Sequence, residues 1–435
     1  MKKVSVIGLG KLGSCMAAVY ASKGFEVVGV DLNQAYVDAI NAIKPPVTEP
    51  QLGDYLLKGA DNLQATTDTQ KAVLESDATF IIVPTPTDET GGFTTKYVEK
   101  VCEEIGRALS KKESYHLVTL TSTVLPGSCD EKIIPVLEQH SGKVCGKDFG
   151  FCYSPEFIAI GSVIKNLLNP DFFLIGESDA SAGDKLSEFY SAVCDNEAPV
   201  ERMSIPSAEL AKISLNAFVT TKITFANMIA EVAEHIPGAD AMRILETLGK
   251  DKRIGSLYIK PGLGFGGPCF PRDNVAFSYM AQSRGCDAPI PDVVHAYNEK
   301  MVDRIADLVS KNAKKGDFIG FLGIAYKTDT PVVEESHALK IAKKLIALGY
   351  KVAVHEPAGH EHVRNELPED ILHESMEDLL ESSNVYFLGT PDKKFLALEH
   401  YLRGKQNKMV IDPWGILKDV PLGDSVTYVV FGKGL

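Results

Sequence analysis

The stretch VSVIGLGKLG, Val4 to Gly13, is a short apolar run that breaks into three glycines spaced as G-x-G-x-x-G. LGSCMAAVYASKG follows with helical spacing, and the next apolar run, EVVGVD, ends on Asp31. Strand, glycine turn, helix and a second strand closing on an acid about 20 residues later form the context in which this spacing binds a dinucleotide. Gly8, Gly10 and Gly13 let backbone and helix N-terminus approach a pyrophosphate, with Lys11 and Leu12 between them, and Asp31 meets the ribose hydroxyls. An acid at that point favours NAD over NADP, whose 2′-phosphate it repels. Outside such a context the same glycines describe only a tight strand-to-helix turn.

Working outward, the first half keeps alternating β-branched runs with helical patterns: TFIIVPTP with YVEKVCEEIGRALS, then LVTLTSTV with CDEKIIPVLEQH. FFLIGE and PVERM add further strands before about residue 200. That alternation predicts a parallel sheet with helices on both faces. Pro84, Thr85 and Thr123 each follow an apolar strand run, where open α/β sheets bind ligands; for Thr85 ordinary turn chemistry is an equal reading. SAELAKISLNAFVTTKITFANMIAEVAEHI, beginning at Ser207, reads as a single long helix with Pro206-Ser207 as its N-cap region. More helical patterns follow it, and alternation then returns from DFIGFLGIAY to VTYVVFG. The expected fold is α/β: two Rossmann-like, doubly wound parallel-sheet domains joined by a helical middle with one long connecting helix. The boundaries fall at 1–203, 204–300 and 301–435.

A chain of 435 residues, 45% hydrophobic and 24% charged, builds sizeable cores, and its net charge of −13 speaks against nucleic acid or an anionic membrane as main partner. No apolar run of membrane-spanning length and no secretory pattern is read, so a cytoplasmic location is expected. Eight scattered cysteines form no C-x-x-C pair and read mostly as small buried hydrophobes. His355, His360 and His362 match no standard metal spacing and read as a surface loop; no metal is expected.

One cysteine stands apart. Cys269 lies in GFGGPCFPRD, Gly264 to Asp273, with glycines ahead of it and Arg272-Asp273 behind. Such a segment suits either a nucleophilic thiolate near a ligand or an ordinary glycine-proline loop.

The segment resembles the cysteine loop of the UDP-glucose/GDP-mannose dehydrogenase family, usually GFGGSCFPKD. TSTVLPGS, SPEF, AELAKISLNAF and FLGIAYKTDT follow in that family's order, so the resemblance covers nearly the whole chain. It implies two successive NAD-dependent oxidations at C6 of a nucleotide sugar of UDP-glucose or UDP-HexNAc type, alcohol to carboxylate. By the same resemblance Cys269 carries a thiohemiacetal and then a thioester. Lys212 and Asn216 stabilise oxyanions, Asp273 works with the lysine and a water, Glu156 serves thioester hydrolysis, and Thr123 orders a water. From the residues alone Lys212 reads equally as a solvated helix face and Asp273 as a helix cap. Phe157, Arg253, Tyr258, Lys260, Gly266 and Lys327 are assigned to the nucleotide sugar, Arg253 reaching into the neighbouring subunit of a homodimer.

Three positions depart from the family. Glu334 stands where many relatives carry a cofactor-contacting arginine, so either another cation substitutes or the loop lies elsewhere. Trp414 replaces a second arginine and reads as a base or sugar platform or as core. Ile160 replaces an acid found in UDP-glucose-type relatives. The competing readings are a two-electron dehydrogenase of β-hydroxyacid type, which has no use for the thiol, and a catalytically silent binder of NAD and nucleotide sugar.

Overall fold

The computed structural model describes residues 1–158 and 161–434. It divides into two compact units, Met1–Ser214 and Leu215–Leu435.

In the first unit the alternating runs become β1 (Lys3–Ile7), β2 (Glu26–Val30), β3 (Leu63–Thr66), β4 (Ala78–Ile81), β5 (Leu117–Leu120), β6 (Gly150–Tyr153), β7 (Phe173–Glu177) and β8 (Val200–Ser204). Among the described residues they form one sheet in the order β3-β2-β1-β4-β5-β6-β7-β8. Both faces are covered, as the near-continuous apolar runs require. Val4, Val6 and Phe80 pack with Met16, Val19 and Tyr20 of the helix Lys11–Ser22. Ile7, Val28, Val30 and Ile81 pack on the other side with Val98, Cys102 and Ile105 of the helix Lys96–Leu109.

The strands from β3 to β6 run parallel, but β7 pairs antiparallel to β6, Tyr153 opposite Gly176, and β8 follows β7 in parallel. The wholly parallel sheet read from alternation is corrected at this edge. Among the described residues the connection from β6 holds only the short helix Val163–Leu168, and β7 pairs at the edge where β6 lies, in the reverse direction.

The long helix spans Ile205–Glu234 and runs across the boundary between the units. At about 1.5 Å per residue it extends some 45 Å. Its start corrects the expectation of a cap at Ser207, which lies inside it. Pro206 occupies the first turn, where a missing N–H costs nothing, and the Ser207 hydroxyl meets that of Ser204 at 2.8 Å. The buried Glu209 carboxylate accepts the N–H groups of Gly127 at 2.6 Å and Cys129 at 2.9 Å. Each such donor left unpaired costs about 1–3 kcal/mol, so this carboxylate pins the loop after β5 to the helix.

The second unit carries the remaining helices and a parallel sheet of β9 (Phe318–Leu322), β10 (Lys351–His355), β11 (Val385–Leu388), β12 (Lys408–Asp412) and β13 (Val426–Val430), in the order β10-β9-β11-β12-β13. Here too both faces are apolar. Ile319 and Phe321 meet Ile341 and Leu345 of the helix His337–Ala347, while Leu322 and Leu388 meet Leu379 and Phe395. Arg304, on the helix Pro289–Asn312, pairs with Glu234 at 2.5 Å and so fastens that helix to the end of the long one. No described helix is long and apolar enough to cross a membrane.

Candidate active site

At the turn after β1, Gly8 takes φ +98°, and a Cβ there would lie 2.1 Å from the Ile82 carbonyl oxygen. A Cβ at Gly13 would lie 1.8 Å from the oxygen of Gly8, whereas the same position on Gly10 faces open space. The first and third glycines are needed for packing, and the middle one keeps the mouth of the turn clear. Lys11 opens the helix, and Leu12 leans on the core behind it. Asp31 accepts the Leu9 N–H at 2.7 Å and the Asn33 N–H at 2.8 Å, one on each oxygen. Each oxygen keeps a lone pair for a ribose hydroxyl. The next residue, Leu32, is 86% exposed and offers no cation for a 2′-phosphate. These features fit NAD.

The loops after β4 and β5 are tied to each other. Thr85 is buried and donates to the Thr123 carbonyl at 2.7 Å, and Ser122 both accepts the Val83 N–H and donates to the Val83 oxygen. Thr123 is half-buried and Pro84 is exposed.

Lys212 is buried rather than part of a solvated face. Its ammonium donates to the Glu156 carbonyl at 2.6 Å and lies 4.5 Å from the centre of the Phe157 ring, which in turn packs on Phe172. Burial pushes the Glu156 carboxyl up to about 7, with the Lys212 charge working in the other direction. Its charge is felt by the enclosed hydroxyls of Tyr20 and Tyr190.

In the second unit the cysteine segment is less of a loop than expected: Cys269 is the N-cap of the helix Phe270–Ser283, with Pro271 in the first turn. The cysteine is exposed. Burial pushes the thiols of Cys15, Cys102, Cys129 and Cys152 far up, and those of Cys145 and Cys194 up to about 11, so these remain inert thiols. A thiol at a helix N-terminus has the opposite disposition, because the N–H dipoles there favour negative charge. Asp273 is buried and is not a cap. It accepts Asn216 Nδ2 at 2.6 Å and Arg272 Nε at 3.3 Å.

Glycines let other parts of the chain approach this segment closely. A Cβ on Gly266 would meet the Glu335 carbonyl at 2.3 Å, and one on Gly267, with φ +82°, would meet the Tyr326 ring at 2.6 Å. The Gly267 N–H donates to the Glu334 carbonyl at 3.0 Å. Glu334 therefore contributes backbone at the cysteine segment while its side chain is exposed. Asn227 accepts the Gly262 N–H, and Asn298 both accepts from and donates to the backbone of Phe265.

Tyr258, at φ +60°, Lys260, Gly262, Gly264 and Trp414 line a cavity of about 490 Å³. Trp414 donates its indole N–H to the Leu388 carbonyl at 3.1 Å and presses on Gly262, so it is anchored in the core and also walls the cavity. Arg253 is exposed and pairs with Asp251 at 2.6 Å; the Lys327 ammonium lies 5.8 Å from the Tyr326 ring centre. Ile160 lies outside the described residues. His360 accepts the Glu356 N–H through Nε2.

The structure thus joins Glu156, Phe157 and Lys212 in one unit, and Asn216 and Asp273, in the helix that Cys269 caps, in the other. The long helix carries both Lys212 and Asn216, four residues apart.

Models of one family match almost the whole chain: the NAD binding domain over residues 2–194, the central domain over 206–300 and the UDP binding domain over 320–419. The chain belongs to the UDP-glucose/GDP-mannose dehydrogenase family. It is 33% identical to a GDP-mannose 6-dehydrogenase of Pseudomonas putida over 95% of this chain and 96% of that one. It is 31% identical to a UDP-glucose 6-dehydrogenase of Haloferax volcanii over 94% and 96%. Among solved structures, a UDP-glucose dehydrogenase from Pyrobaculum islandicum matches with a TM-score of 0.89 at 33% identity, covering 99% of this chain and 97% of that one. The chain is accordingly a member of a family of NAD-dependent nucleotide-sugar 6-dehydrogenases.

Among the buried carboxylates that the sequence did not reveal are Glu209 and Glu49. Glu209 carried only the signal of lying inside AELAKISLNAF, and Glu49 carried none.

Because the folded Glu156 carboxyl titrates near 7 and an unfolded one near 4.5, the folded state holds the extra proton between those values. Stability therefore falls as pH rises through that window and is level above it. Glu156→Gln removes the effect. Its stability should match that of the unaltered enzyme near pH 4.5 and exceed it at pH 8 by at most about 3 kcal/mol, with the melting temperature raised accordingly. Thermal melts at the two pH values check this, and an unchanged difference between them contradicts it.

Proposed function

We propose that the enzyme carries out a four-electron oxidation of the C6 alcohol of a UDP-linked hexose to the uronic acid, with Cys269 as covalent nucleophile. The observation carrying this is an exposed cysteine at a helix N-terminus, one turn before a buried aspartate held by Asn216.

NAD, held at Gly8, Gly10, Gly13 and Asp31, is the hydride acceptor for both oxidations. The protein does the rest. Lys212 and Asn216 supply a cation and an amide donor to the oxygen at C6 as negative charge builds on it. The Cys269 thiolate adds to the aldehyde carbon, forming a C–S bond, and the aldehyde oxygen takes a proton. Loss of hydride from that carbon, with the hydroxyl proton released to solvent, leaves a thioester. Water, ordered by Thr123 and deprotonated by Glu156, breaks the C–S bond and returns acid and thiol. A carboxyl that titrates near 7 is matched to that proton transfer. Asp273 orients the asparagine amide and, with Lys212, serves as base for the first oxidation.

Tyr258 and Lys260, in the 490 Å³ cavity, are assigned to the nucleotide sugar together with Gly266 and Lys327, and Trp414 is an aromatic cavity wall suited to a base. The match to a UDP binding domain favours UDP. GDP-mannose is the second reading, favoured by the 33% identity to the Pseudomonas putida enzyme. A reducing cytoplasm would keep Cys269 as a thiol.

We also infer a homodimer. Phe218, Phe225, Met228 and Val232 recur on one stripe of the long helix at 40–67% exposure, more apolar surface than a helix leaves to water. Arg253, exposed on its loop, is the residue assigned to the partner's site.

A panel of UDP- and GDP-hexoses with NAD, read by absorbance, should yield about two NADH per sugar on the preferred substrate; one per sugar supports the β-hydroxyacid-type reading instead. Cys269→Ser should make no uronic acid, and undiminished acid from it refutes the covalent role. Phe218→Asp should shift the mass measured by light scattering from dimer to monomer; a monomeric unaltered enzyme sinks the dimer.

A further inference from the structure

We propose that Glu49 is a positioning residue for the hydrolytic step, holding the segment that carries Glu156 from its far end. The inference rests on the reading of Glu156 as the base for thioester hydrolysis.

Glu49 lies in KPPVTEPQ, between the helices Gln34–Asn41 and Leu52–Lys58, and is 8% exposed. Its two carboxylate oxygens accept separate backbone N–H groups, those of Gly161 at 3.0 Å and Val163 at 3.0 Å. Gly161 has φ +89°, a conformation open to glycine, and this turns its N–H toward the carboxylate. Val163 starts the helix Val163–Leu168, whose N-cap residue Ser162 makes no side-chain capping bond. A carboxylate more than 100 residues away in sequence does that work instead. The segment's near end is held by Lys212 on the Glu156 carbonyl at 2.6 Å. The Glu156 carbonyl on one side and the N–H groups of Gly161 and Val163 on the other are thus each held by a buried charged group.

Burying a carboxylate is costly, and a local serine or aspartate caps a helix more cheaply. What the distant carboxylate adds is a fixed distance between the chain at 49 and two N–H groups that follow Glu156 by five and seven residues. A displacement of about 1 Å at a reacting group costs up to about 100-fold in rate. Glutamine preserves size but offers one acceptor for two donors, and its amide opposes the second N–H. Aspartate keeps the charge one methylene short.

The test compares Glu49→Gln, Glu49→Asp and Glu156→Gln with the unaltered enzyme, using NAD and the most active sugar nucleotide of the panel above. For Glu49→Gln we expect a fast burst of NADH at each site, then steady turnover about tenfold slower, with KM for NAD within twofold. Glu49→Asp should fall between. A lower melting temperature with kcat within twofold of the unaltered enzyme would show a merely structural tie and overturn the proposal. Failure of both Glu49 variants to fold would also overturn it, marking a folding residue. Unimpaired turnover by Glu156→Gln would bring down the hydrolytic reading beneath it, an outcome distinct from normal kinetics in the Glu49 variants alone.

Discussion

The contact between Gly266-Gly267 and the chain at Tyr326 and Glu335 has no room for a side chain, since added β-carbons would lie 2.6 Å or less from ring and carbonyl. Sealed by the Gly267 to Glu334 hydrogen bond, it fixes where the following helix begins. Cys269 is left exposed at that helix's N-terminus, and Asp273, one turn on, is driven inward to Asn216. Thiol access and aspartate burial are two results of one backbone approach. The substitution of a glutamate for the family arginine at 334 leaves this intact, because position 334 contributes its carbonyl there.

A second theme is the carboxylate that accepts backbone N–H groups where a strand or loop ends. Asp31 does so for Leu9, Glu209 for Gly127 and Cys129, and Glu356 for Ile324 and Ala325. Asp31 and Glu356 occupy matching places, each after the strand that neighbours the first one of its sheet. The two turns differ in what they leave open. The first glycine of each turn is hemmed in, Gly8 by Ile82 and Gly323 by Thr390, but Gly10 faces empty space where the second turn has a buried Ala325.

Much of this was legible in the sequence because the physics is local. Apolar runs buried on both sheet faces, glycines at a strand-to-helix turn and thirty residues without an interior helix breaker announce themselves one stretch at a time. What was missed depends on partners far along the chain. Ser207 looks like a cap until Pro206 is seen in the first helical turn, and β7 gives no local sign of running against β6. Lys212 resembles any surface lysine until the Glu156 carbonyl covers it. Glu49, flanked by prolines, has the signature of an exposed turn, and only Gly161 and Val163 reveal that it is buried.

The most direct test of the central claim is intact-protein and peptide mass spectrometry of Glu156→Gln during turnover with NAD and the preferred sugar nucleotide. The account predicts that the mass of the oxidised sugar nucleotide is added to the peptide containing Cys269, and that hydroxylamine removes it. An unmodified Cys269 peptide, in a preparation whose unaltered counterpart makes the acid, would contradict it.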